Sequence, residues 1–124
     1  MQMLSIGTDI VEVSRIKYLI EKYGIRFLNR VFSKDEIRYC ESLRFSAIHY
    51  AGRFSAKEAI IKSLPNKSKK NFLTYKDISI SNNNKGKPFI NCKKIDSKLI
   101  DISISHTKEH AISFAVYFDD DKCS

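Results

Sequence analysis

Apolar residues recur at helical spacing through the first half of the chain and alternate with polar ones in the second, with a basic loop at residues 66–71 between the two regimes. Residues 3–11 stand apart. They are short, apolar and β-branched, and predict a buried strand. From Ser14 to Tyr23 the positions Ile16, Leu19, Ile20 and Tyr23 fall on one helical face, with Ser14 as the expected N-cap and Gly24 as the stop. Ser33-Lys34-Asp35-Glu36 is a capping box opening a helix that runs to about residue 43. A long helix follows, starting at Phe45 or Ala47 and ending at Leu64, where Pro65 stops it. Beyond the basic loop, residues 75–81 alternate around Ile78 and Ile80, residues 82–86 carry strong turn chemistry, and residues 87–92 return as a partner strand. Residues 100–105 and 111–118 predict a second hairpin, joined through residues 106–110. The expected fold is therefore α+β, a mainly antiparallel sheet packed on a long central helix. One domain is expected over residues 1–118, with residues 119–124 a frayed acidic tail.

The long helix is the informative element. Tyr50, Phe54, Ala56, Ala59, Ile60, Ile61 and Leu64 make it apolar over most of its circumference, yet Arg53, Glu58 and Lys62 sit within it. Glu58 and Lys62 are one turn apart on one face, and the small residues Ala51 and Ser55 continue that line toward the N-terminus, open to close approach by another segment. A buried carboxylate without a partner costs several kcal/mol, on the order of the penalty for any unpaired buried ion. Glu58 thus requires a cation, either Lys62 or a metal ion shared with another acid. Asp9, between Thr8 and Ile10 on the first strand, is a second acid in the same position. Its plain alternative is a cap on the following turn. Two such carboxylates suit Mg²⁺, which keeps waters and accepts phosphate oxygens, and Lys62 is placed to act as a point charge on such a phosphate. His106 follows a strand end, where loops commonly present ligand-binding groups; a turn histidine without function fits equally.

Composition sharpens the choice of partner. The 124 residues suffice for one core, with 43% hydrophobic residues, and the net charge is +8. An acidic partner is implied: a phosphorylated ligand, an acidic protein, nucleic acid or an anionic membrane surface. Residues 1–10 are too short and polar for a signal peptide and no run of ~18 apolar residues occurs, so a soluble, cytoplasmic protein is expected. Cys40, Cys92 and Cys123 fit neither a zinc pattern nor a disulfide framework, and are read as free thiols, two buried and one on the tail. There is no P-loop, G-x-G-x-x-G turn or nucleophile elbow.

Five segments in order carry a resemblance: residues 6–16, Arg30-Val31-Phe32-Ser33 with Glu36, Ala51-Gly52-Arg53-Phe54-Ser55-Ala56-Lys57-Glu58-Ala59, Gly86-Lys87-Pro88, and Ser103-Ile104-Ser105-His106-Thr107. Together they resemble the holo-acyl-carrier-protein synthases, the short single-module group of the phosphopantetheinyl transferase superfamily. The resemblance implies transfer of 4′-phosphopantetheine from coenzyme A to a serine of acyl carrier protein, in fatty acid biosynthesis, with Asp9 and Glu58 as Mg²⁺ ligands and Lys62 on the pyrophosphate. It implies that Arg53, Ser105, His106 and Thr107 hold the nucleotide end and its 3′-phosphate, with Gly86, Lys87 and Pro88 beside the adenine. It also implies a homotrimer with sites between subunits, and docking of an acidic carrier protein on Arg15 and Arg26. The proton acceptor stays open among a metal-bound water, Glu58 and an acid of residues 33–36. After the long helix, residues 64–70 replace the glycine-bearing Phe-Gly-Thr-Gly turn usual in the family. A basic nucleic-acid-binding domain, a Mg²⁺-dependent phosphohydrolase and an inactive paralogue are the competing readings, and the resemblance favours neither nucleic acid nor membrane as partner.

Overall fold

The computed structural model describes residues 2–65 and 73–120; the basic loop at 66–71, the residues replacing the glycine turn beyond Pro65, and Cys123 lie outside the described residues. The first strand, β1 (Gln2–Glu12), leads into α1 (Val13–Tyr23), α2 (Ile25–Val31), α3 (Lys34–Glu41) and α4 (Ser46–Ser63). Four strands follow: β2 (Ser79–Asn82), β3 (Pro88–Asn91), β4 (Ile100–His106) and β5 (His110–Asp120). They form a three-stranded sheet in the order β1-β5-β4 and a two-stranded sheet of β2 and β3, every pairing antiparallel. The α+β architecture expected from the alternating pattern is present.

Several boundaries differ from the expected ones. Helix α1 begins at Val13 rather than after a Ser14 cap. Its first N–H is met by the Glu109 carbonyl at 2.8 Å, so the turn between β4 and β5 caps the helix and no side chain is needed. Helix α2 was not anticipated. Leu28 and Val31 are buried on it, and Gly24, at φ 58°, lets the chain turn between α1 and α2. Residues 75–77 form a 3-10 turn instead of strand, because Thr74 and Asp77 cap each other across it. Strand β5 runs to Asp120, so residues 119 and 120 pair with Met3 and Gln2 rather than fray. Cys40 is buried as expected, whereas Cys92 is only half-buried.

Helix α4 is covered on most sides, with Tyr50, Ala51, Ser55, Ala56, Ala59, Ile60 and Ser63 buried. One side packs on α1 and α3, and another on β1, β5 and β4. The line of small residues does serve close packing. The Ser55 and Ser113 hydroxyls are hydrogen-bonded at 2.5 Å between α4 and β5. Gly7 on β1 lies so near α4 that a Cβ there would meet the Ala59 carbonyl oxygen at 2.1 Å and the Ser63 nitrogen at 2.7 Å. Asp9, two residues on, shares that face of the strand.

The other half of α4 is held by a charge. Lys57 is fully buried and its ammonium donates to Glu36 Oε1 at 2.6 Å, the Val31 carbonyl at 2.7 Å and the Tyr75 carbonyl at 3.0 Å. Burial lowers the Lys57 pKa, and the Glu36 carboxylate works against that. Glu36 is also fully buried, and accepts in addition from the Ser33 and Ile80 backbone N–H groups. It is therefore more than half of a capping box.

Removing one member of such a pair strands the other in the core. Lys57→Met is expected to cost about 3–5 kcal/mol of stability in urea unfolding; a change within ~0.5 kcal/mol, the range of surface substitutions, would contradict the burial. Gly7→Ala is expected to destabilise by at least about 1–3 kcal/mol through overpacking against helix backbone, and an unchanged unfolding midpoint would show that the strand is not seated so closely.

Candidate active site

Strand β1 and helix α4 bring three of the expected residues together. Lys62 Nζ donates to Asp9 Oδ1 at 2.9 Å and to the Thr8 carbonyl at 3.2 Å. Its side chain remains 53% exposed, against 16% for Asp9, so the ammonium faces solvent at the mouth of the seam. Glu58 lies one turn before Lys62 and is half-buried rather than buried. Its partner is not Lys62. Glu58 Oε1 accepts a hydrogen bond from the Tyr75 hydroxyl. Burial first, and then that bond, push the Tyr75 phenol up to about 12; the Asp9 charge adds to the rise and Arg15 opposes it. Tyr75 thus holds Glu58 on α4, one turn from the Lys62 that meets Asp9 on β1.

In the bonds described, each carboxylate uses a single oxygen and keeps its other one. Among the described residues no group of three or more His, Cys, Asp or Glu is gathered into a metal cage. A cation here would have two protein oxygens and would complete its shell with water or ligand oxygens, which fits Mg²⁺ and not zinc.

A second cluster forms around Arg53, on α4 about 140° round the helix from Glu58 at 100° per residue. Arg53 is buried, donates to Asn82 Oδ1 at 2.6 Å and lies over the Tyr39 ring, 4.3 Å from its centroid. Its Nε is buried without a hydrogen-bond partner among the described residues. Asn82 Nδ2 in turn donates to the Gly86 carbonyl at 3.2 Å, which ties Arg53 to the turn carrying Gly86 and Lys87; Gly86 sits at φ 84°. His106, at the end of β4, meets His49 ring to ring at 5.5 Å, and Tyr39 packs edge-on to His49. Burial, then His106 and Arg53, lower the His49 pKa. A basic, partly desolvated corner results.

Not every expected residue joins these clusters. Ser105 pairs with Ile112 on the face of the sheet opposite to His106, as strand alternation dictates. Thr107 Oγ1 accepts from the Glu109 and His110 N–H groups and shapes the turn. Lys87 pairs with Asp101 at 2.9 Å. Arg15 and Arg26 are both exposed, on α1 and α2. Glu36, left open as a proton acceptor, is sealed in the core with Lys57 and is removed from the chemistry.

Sequence reasoning missed Tyr75, Lys57, Tyr39, His49 and Asn82. Lys57 carried a signal, a charge flanked by Ala56, Ala59 and Ile60 on a helix already judged buried. Tyr75 and Asn82 carried none, because Tyr75 is brought to its site by a 3-10 turn and Asn82 by the pairing of β2 with β3.

A model of the 4′-phosphopantetheinyl transferase superfamily matches residues 5–115. The chain is 43% identical over 119 residues to a holo-[acyl-carrier-protein] synthase of Protochlamydia amoebophila, covering 92% of this chain and 97% of that protein. It is 44% identical over 111 residues to a holo-[acyl-carrier-protein] synthase of Thermodesulfovibrio yellowstonii, covering 90% and 95%. Its fold matches the crystal structure of a holo-(acyl-carrier-protein) synthase from Bacillus anthracis in complex with CoA (3′,5′-ADP), with a TM-score of 0.79 and 28% identity over 97% of this chain and 100% of that one. The Helicobacter pylori enzyme in complex with coenzyme A matches with a TM-score of 0.75 and 32% identity, over 92% and 99%. Carrying the five motifs in register and the two-acid seam between β1 and α4, the chain belongs to the 4′-phosphopantetheinyl transferase superfamily, among its holo-[acyl-carrier-protein] synthases.

Proposed function

We propose that this chain transfers the 4′-phosphopantetheine arm of coenzyme A to a serine hydroxyl of an apo acyl carrier protein, in the service of fatty acid synthesis, and releases adenosine 3′,5′-bisphosphate. The observation that carries the reading is the seam itself: two carboxylates, Asp9 and Glu58, each using one oxygen in the bonds among the described residues, beside the half-exposed Lys62 ammonium. Such a set binds a polyphosphate and a hard cation and has no nucleophile of its own. Direct transfer to an incoming hydroxyl follows. The serine oxygen forms a bond to the phosphorus that carries pantetheine. The bond from that phosphorus to the bridging oxygen breaks, its electron pair stays with the nucleotide, and the serine proton passes to a base at the seam.

Asp9 and Glu58 are the residues that would hold Mg²⁺, which when bound neutralises charge on the pyrophosphate oxygens. Lys62 supplies a point charge to the same oxygens. Arg53 and His106, with the Gly86-Lys87-Pro88 turn beside them, take the nucleotide end, where a phosphate would answer the cationic corner. The exposed Arg15 and Arg26 face an acidic carrier protein, and the exposed Tyr18, Tyr23 and Ile25 offer apolar contact between them. That arrangement uses the charge of +8 in steering the partner.

We also infer a homotrimer with shared sites. Leu4, Ile6 and Ile10 on β1 and Ile112 and Phe114 on β5 lie on the sheet face away from α4 and are 44% to 64% exposed. An apolar sheet face of this kind is a normal mark of an interface. The wide angle between Glu58 and Arg53 supports assembly of one site from two chains.

Incubation with coenzyme A, Mg²⁺ and apo acyl carrier protein is expected to add one phosphopantetheine mass to the carrier, and EDTA to stop it. Glu58→Gln is expected to lower the rate by roughly 10²–10³, on the scale of losing one electrostatic stabiliser; a near-normal rate would remove Glu58 from the metal site. Sedimentation is expected to show a trimer that Phe114→Glu dissociates with loss of transfer, and an active monomer would refute the shared-site reading.

A further inference from the structure

The reaction described needs nothing from Tyr75, yet its hydroxyl, ring and backbone are each held by a contact at the seam. Its hydroxyl donates to Glu58 Oε1. Its ring is half-buried and packs against Phe54, with centroids 5.4 Å apart at a 42° tilt. Its carbonyl accepts from the buried Lys57 ammonium at 3.0 Å, and that ammonium is locked to Glu36. The 3-10 turn that carries it is closed by the Thr74 and Asp77 caps, and Asp77 is itself held by Lys94 at 2.9 Å. Backbone, ring and hydroxyl are therefore each constrained by a separate contact.

A glutamate has three rotatable side-chain bonds, and ordering such a chain on a ligand carries an entropic cost. The phenol meets that cost in advance. By occupying Oε1 it restricts the rotation of the Glu58 carboxylate and leaves Oε2 as the oxygen without a bond among those described. Groups that hydrogen-bond to metal ligands act in this way generally, through orientation rather than contact with the ion.

We propose that Tyr75 is a positioning residue for the cation site: its hydroxyl orients Glu58 so that the carboxylate presents a single oxygen beside Asp9. The proposal rests on the reading of Asp9 and Glu58 as cation ligands. It assigns a site role to a residue outside all five sequence motifs, and makes the core pair of Lys57 and Glu36 the remote support of the metal-binding geometry.

The test is Mn²⁺ titration of the full chain with coenzyme A present and carrier protein absent, so that no turnover occurs, following free Mn²⁺ by electron paramagnetic resonance. Tyr75→Phe keeps the ring and its packing on Phe54. It is expected to weaken Mn²⁺ binding by about tenfold to a hundredfold, and Asp9→Asn at least as much. A purely structural tyrosine would give normal binding in Tyr75→Phe. That result, with Asp9→Asn impaired, overturns the proposal and leaves the cation site standing. Normal binding in both variants overturns the cation site and the proposal with it. A urea double-mutant cycle supplies a readout independent of the metal: Tyr75→Phe should shift the unfolding midpoint of the unsubstituted chain and leave that of Glu58→Ala, which has no acceptor for the hydroxyl, nearly unmoved. Equal shifts in the two backgrounds would show that the hydroxyl does not act through Glu58.

Discussion

Lys57 and Glu36 place a full positive and a full negative charge in a core from which water is excluded. Each charge is satisfied by backbone: the ammonium by carbonyls at the end of α2 and in the 3-10 turn, the carboxylate by an N–H at the start of its own helix, α3, and one on β2. Five pieces of chain are consequently bound to one ion pair. Replacing such a pair by hydrocarbon is often neutral for stability, so its value here lies in register. Apolar contacts alone would let α4 rotate or slide against α3 and β2 at little cost. A charge with fixed partners does not allow it.

The register of α4 matters because both clusters of candidate side chains are carried on it. Glu58 and Lys62 face β1, where Gly7 lets the strand approach until the Asp9 carboxylate meets the Lys62 ammonium. Arg53 faces the other way, against Tyr39 and Asn82. One rigid helix thus sets the spacing of the pyrophosphate end and the nucleotide end in the proposed reaction. The meeting of Asp9 and Lys62 depends on how closely a strand and a helix can pack, which a single methyl group at position 7 would spoil.

Much of this was legible in the sequence, for physical reasons that differ by element. Helix α4 announced itself because so many of its directions are apolar, and only a helix covered by both a sheet and other helices has that composition. Asp9 and Glu58 were conspicuous because burying an acid is costly and must be explained. The pairing of Lys62 was not legible, since a helical wheel offers Glu58 as its neighbour while the strand that supplies Asp9 is more than fifty residues away, counted from position 9 to position 62. Helix α2 escaped because seven residues give too few turns to establish a period. Tyr75 escaped because its position is set by a capped turn and by a lysine on another element, and neither leaves a mark at residue 75. The Ser33-Glu36 motif was read correctly as a cap, but that explanation concealed the larger part of what Glu36 does.

The central claim is that Asp9 and Glu58, brought together by the close seating of β1 on α4, hold one divalent ion at the phosphates of coenzyme A. Crystals of the chain grown with coenzyme A and Mn²⁺, measured at the manganese absorption edge, test this directly. The account predicts one anomalous peak per active site, within bonding distance of one oxygen of each carboxylate and of a pyrophosphate oxygen. A peak coordinated by other residues, or coenzyme A bound in order with no peak at the seam, would contradict it.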